Sequence, residues 1–134
     1  MSEITLWKDR ENRKIDPTLF SEKAEKLAIT LKEDNDKSKK KNKRTQIRKF
    51  YDEVVRLDTA AKTRSAEEWD NILPILNMLI AKAAYAQGRD LVSKNFVKFI
   101  RSAIGQISDP KDLSVFANFF EAFMGFYRLH GPAN

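Results

Sequence analysis

The chain has 134 residues, 42% apolar and 33% charged, with a formal net charge of +6 and no cysteine. That length fits one domain with its own core, and the composition excludes disorder, disulfides and thiolate metal sites. No run approaches the roughly 20 apolar residues needed to cross a bilayer, and Met1 to Arg10 lacks the apolar core of a secretory signal. A soluble, cytoplasmic protein with no membrane partner is expected.

Residues 1–15 mix charges without sustained periodicity and read as an N-terminal arm or extended lead-in. Asp16-Pro17 resembles an N-cap followed by a first-turn proline, and Leu19, Phe20, Ala24, Leu27, Ala28 and Leu31 follow at helical spacing. A helix over 17–32 is therefore expected. Residues 33–42 contain no apolar side chain, so 33–44 is expected to be a mobile basic loop. The second helix, 45–61, presents Ile47, Phe50, Tyr51, Val54, Leu57 and Ala61 on one face.

Ser65 and Glu68 have the spacing of a capping box for a third helix ending at Gly88, with Trp69, Leu73, Leu76, Ile80 and Ala83 inward. Pro74 should kink this helix or split off its first turn. Asp90 is the expected cap of a fourth helix carrying Val92, Phe96, Phe99, Ile100, Ala103 and Ile107. Asp109-Pro110 opens a fifth that Gly131-Pro132 ends. No segment alternates with the period of a strand. The expected fold is all-α: a single domain over 1–134, a compact bundle of about five helices with a basic loop between the first and second.

The fifth helix is apolar nearly all round. Leu113, Phe116, Phe120, Phe123 and Tyr127 form one stripe, and Val115, Phe119, Ala122 and Phe126 form another. Such a helix is either central to its bundle or covered by another chain. A small bundle has little room for an enclosed helix, so Val115, Phe119 and Phe126 are candidates for a protein interface.

Catalytic and metal constellations are not visible. His130 is the only histidine and sits by the terminal Gly-Pro, as an incidental tail residue would. Glu121 lies among aromatics and is the one acid expected to be partly buried, paired with a basic group. There is no glycine-rich phosphate loop. No metal and no cofactor are expected, and the chain reads as a non-enzyme.

Charge distribution is more informative. Lys37 to Lys49 holds eight basic residues and no acid, so the remainder of the chain is net acidic. A basic block on such a body is either a polyanion-binding site or a solvated loop that aids solubility. Arginines fixed on a helix suit bidentate phosphate contact, and Arg48 flanks the apolar stripe of the second helix. A further half-exposed row on the third helix runs Ile75, Met78, Lys82, Tyr85, Arg89. Lys94, Lys98 and Arg101 read as an ordinary solvated face. The candidate RNA-binding residues are Lys41, Lys43, Arg44, Arg48, Lys49, Lys82 and Arg89. A free-standing DNA-binding protein and an adaptor that binds only acidic protein are the competing readings.

Three segments in order, TQIRKFYDEV (45–54), AAYAQGRDLV (83–92) and VFANFFEAFMGFYRLHG (115–131), resemble the small subunit of type III-A CRISPR effector assemblies, the Csm complex. The resemblance spans most of 40–131 and leaves out the arm before Asp16. It implies a helical subunit without activity of its own. Several copies would stack as an inner filament beside the backbone and large subunits, facing guide RNA and target RNA. Neighbouring subunits would carry out RNA cleavage, DNA cleavage and cyclic oligoadenylate synthesis. Type III-B assemblies have an analogous subunit.

Overall fold

A computed structural model describes residues 3–63 and 66–134, with side chains omitted at position 66. The described residues form five α-helices: α1 (Ala24–Lys37), α2 (Arg44–Thr63), α3 (Ala66–Gly88), α4 (Lys94–Ile104) and α5 (Pro110–His130). Among the described residues the only extended pairing is an isolated antiparallel bridge between Asp9 and Lys14. The all-α bundle read from the periodicity is the fold observed.

Helix boundaries follow local chemistry, not always at the expected residue. A π-helical turn, Leu19–Lys23, precedes α1, closed by Lys23 N–H donating to the Thr18 carbonyl at 3.1 Å. Asp16 still organises this entry: its carboxylate accepts from Thr18 N and Thr18 Oγ1, both at 2.8 Å. Helix α3 is continuous through Pro74, not divided there. The expected Ser65–Glu68 capping box involves Ser65, outside the described residues.

Helix α3 ends at Gly88, as its sequence signals, but the reversal that follows is made elsewhere. The chain reverses at Asp90, whose φ is 61°, and Leu91 N–H donates to the Ala86 carbonyl while Asp90 N–H donates to Gln87. These are the two bonds of a Schellman motif with aspartate in the left-handed position, which Asp tolerates. Asp90 therefore turns the chain after α3 and does not cap the fourth helix; Ser93 caps α4 by accepting from Phe96 N. Asp109 caps α5 in a reciprocal capping box with Asp112, with Pro110 in the first turn.

At the other end of α5, Gly131 meets a close approach. A Cβ there would lie 2.4 Å from the Tyr127 carbonyl and 2.9 Å from its ring.

Helix α5 is the central element. It packs against α1, α2, α4 and the π-helical turn, and residues 3–15 close over its start. Phe99 of α4 holds ring contacts with Phe116, Phe119, Phe120 and Phe123 at centroid distances of 5.4–6.2 Å. Val115 and Phe119, expected at a protein interface, are buried in this aromatic core. Five helices leave room for an enclosed one because the N-terminal segment supplies an extra layer of cover.

That segment is no loose arm. Leu6 and Trp7 are buried, and Trp7 Nε1 donates to Asp112 Oδ1 at 2.6 Å. Asp112, fully buried, also accepts from Arg10 Nη1 at 3.0 Å and from Ser108 N at 2.9 Å. Arg13 reaches Asp109 at 2.7 Å and lies over the Trp7 ring. Burial pushes the Asp112 carboxyl upward, but the bonds from Ser108 and Trp7 and the Arg10 charge outweigh it and hold it below 3.8.

Candidate nucleic-acid interface

The basic segment is built, not free. Helix α1 continues to Lys37, five residues beyond the expected end, and the connection to α2 is a compact turn. Two buried asparagines hold it. Asn35 Nδ2 donates to the carbonyls of Lys39 and Lys41, at 3.3 and 2.7 Å. Asn42, at φ 61°, donates to the Leu31 carbonyl and Ser93 Oγ and accepts from Ser93 N. Its own carbonyl accepts the Tyr127 hydroxyl at 2.5 Å. The basic connection is thus shorter than 33–44, because 33–37 belong to α1, and polar side chains, invisible to hydrophobic periodicity, satisfy backbone that a loop would leave to water.

The candidate RNA-binding residues divide among three places. Lys41 lies by Asp34, Ser93 and Asn95 in a shallow depression at the start of α4, and Lys43 is half-buried beside it in sequence. Arg44 and Arg48 flank α2 on the side of the C-terminal residues, with Arg128 in the same depression of about 260 Å³. Arg44 is largely committed to structure, donating to the Ala133 carbonyl, while Thr45 N donates to Asn134. Arg48 is exposed and stands 3.8 Å from Asp52.

Lys49, Lys82 and Arg89 converge on the third place, a groove of about 330 Å³ between α2 and α3. Helical spacing accounts for it: Gln46, Lys49, Phe50 and Glu53 share one side of α2, and Leu79, Lys82 and Ala86 share one side of α3, with Arg89 just past its end. None of the three cations forms an ion pair among the described residues, in contrast to Arg10, Arg13 and Arg56. Glu53 is the one acid in the groove wall, and Arg56 clamps it through two bonds of 2.9 and 2.7 Å. The Arg56 hydrogen bond, with smaller help from Lys82, holds the Glu53 carboxyl below its ordinary range. The groove is therefore cationic.

Tyr85 stands at its edge, 69% exposed, with the Arg89 guanidinium 5.8 Å over the ring. Tyr85 and Lys82 were visible in the sequence as members of one helical row. Gln46 and Arg128 carried no sequence signal; only the packing of α2 against its neighbours brings them in.

Other expectations change. Phe126 remains half-buried, followed by Leu129 at 73% exposure, so the apolar surface of α5 is confined to its last turns. Glu121 is exposed, not partly buried. His130 is no incidental tail residue: its Nε2 lies 2.7 Å from Glu25 Oε2, joining α5 to α1. Among the described residues no group of three or more His, Cys, Asp or Glu side chains could hold a metal ion, and no helix is long and apolar enough to cross a membrane.

The model of the Csm2 Type III-A family matches residues 14–133. No curated protein and no solved structure matches the chain.

Proposed function

The chain belongs to the Csm2 Type III-A family, the small subunit of the type III-A CRISPR complex, and from that premise we propose that it does no chemistry itself and contacts RNA through the α2–α3 groove. The observation that carries this reading is the convergence of Lys49, Lys82 and Arg89, which form no ion pair among the described residues, on one groove whose wall acid, Glu53, is held by Arg56. Phosphates address such cations without regard to sequence, which suits a subunit that serves any guide and target. Partner subunits would supply catalysis. Contact with neighbouring copies or backbone subunits falls to Phe126 and Leu129 at the exposed end of α5, not to Val115 or Phe119.

The test is an assembled complex carrying Lys49→Ala, Lys82→Ala and Arg89→Ala together, with incorporation of the subunit checked first. Target-RNA affinity should fall, and the slope of log affinity against log salt should shrink by about 2, at ~0.7 per phosphate contact on a single strand. Unchanged affinity and slope would remove the groove from RNA binding.

A further inference from the structure

Resting on that RNA-contact reading, we propose that the α2–α3 groove is a subsite for one unstacked nucleotide of a single strand, with Tyr85 as its stacking platform. Phosphate contact alone needs cations on an open surface. This groove has more. Its floor is apolar, made by the buried side chains of Phe50, Leu79 and Ala86. Its volume, about 330 Å³, lies at the small end of ligand sites and suits a planar ring system, not a helix or a duplex.

Tyr85 gives the second line of support. Its ring is 69% exposed and its hydroxyl makes no hydrogen bond within the described chain, so packing does not account for its position. Arg89 takes one face of the ring at 5.8 Å, leaving the other for a ligand. A guanidinium stacked in this way keeps its N–H edge free, so Arg89 can hold a phosphate while the ring next to it holds a base. Lys49 and Lys82 extend the cationic track along both walls.

Gln46, also on the groove wall, carries both a donor and an acceptor. It can meet the edge of any base, which keeps the site tolerant of sequence. Base–aromatic stacking is likewise tolerant, since every base has a π-face. A duplex cannot use the site, because its bases are already stacked. An acidic peptide would satisfy the cations but leave the tyrosine face and the apolar floor unused.

The experiment uses the full chain, a short single-stranded oligoadenylate and an abasic strand of equal length, in a salt series. Tyr85→Ala should weaken oligoadenylate binding about 5- to 150-fold, the range of one aromatic stack, while Tyr85→Phe stays within about twofold of wild type because the ring is kept. On the abasic strand, wild type and Tyr85→Ala should bind alike. The salt slope should be unchanged in Tyr85→Ala and reduced in Arg89→Ala. Equal binding of wild type and Tyr85→Ala to oligoadenylate, with a normal salt slope, overturns the stacking site and leaves phosphate contact standing. No binding of wild type to either strand at low salt removes the RNA reading and this subsite with it. A shift in sedimentation of Tyr85→Ala without a change in RNA affinity would make the groove a protein contact and also overturn the proposal.

Discussion

Two groups of basic side chains, at opposite extremes of exposure to carboxylates, divide the labour of this molecule. Arg10 and Arg13 are pinned to Asp112 and Asp109 and close residues 3–15 over the start of α5. Lys49, Lys82 and Arg89 face a groove and form no ion pair among the described residues, and the nearby acid is occupied by Arg56. Both groups look alike in a count of charges. The difference lies in which helix ends the tertiary structure brings within reach, and it separates cations spent on folding from cations left for a partner.

Breaking the first group should have the larger effect. Asp112→Ala leaves the Trp7 indole N–H and the Ser108 amide without their acceptor and removes half of the α5 capping box. A loss of about 3 kcal/mol is expected, the low end for breaking a buried charged network because Arg10 stays solvated. Urea denaturation measures it; a change under about 0.5 kcal/mol, the range of neutral surface changes, would mean the N-terminal segment adds nothing to the fold.

Asn42→Ala should come next, at about 2 kcal/mol. It strips a buried side chain of three hydrogen bonds and puts alanine at φ 61°. Amide exchange at Lys39 to Lys43 should accelerate more than exchange in the core of α5. Uniform acceleration would show that the basic turn is not a separately held unit.

Acid should then act on the first group before the second. Hydrogen bonds and Arg charges hold the Asp109 and Asp112 carboxyls below 3.8 when folded. Their contribution to stability is complete above the unfolded value and is lost as pH falls through the lower folded value. Trp7 fluorescence should report detachment of residues 3–15 only below about pH 3.8, and Asp112→Asn should remove most of that transition. A transition centred well above that pH would remove Asp109 and Asp112 as its cause.

The smallest effect on stability belongs to the groove. Replacing Lys49, Lys82 and Arg89 by alanine should change unfolding free energy by no more than about 0.5 kcal/mol, since exposed cations without partners contribute little. A larger loss would place them among the structural cations and erase the contrast.

Arg48 and the lysines of the α1–α2 turn differ less in ordering cost than a helix and a loop would. With mobile lysines, Arg48 would dominate RNA contact because a loop pays to become ordered. Asn35 and Asn42 have already ordered that turn, so Lys39 to Lys41 carry only side-chain entropy into a contact.

The amino-acid sequence by itself determined the helices and their inward faces. Apolar residues recurring at helical spacing, Asp109-Pro110 before α5 and Gly131 after it are local signals, and each is set by backbone chemistry within a turn or two. The resemblance of three short segments to a known subunit was legible in the same way. What only the tertiary structure decided were the long-range polar contacts. Trp7 meets Asp112 across 105 positions and Asn42 meets Tyr127 across 85, and hydrophobic periodicity says nothing about either. Those contacts turned an apparent arm into core cover, a supposed loop into a fixed turn, and Phe119 from a surface anchor into a buried ring. The groove depended on tertiary structure for the same reason: Lys49 lies on α2 and Arg89 just past the end of α3, and only the packing of α2 on α3 sets them around one space.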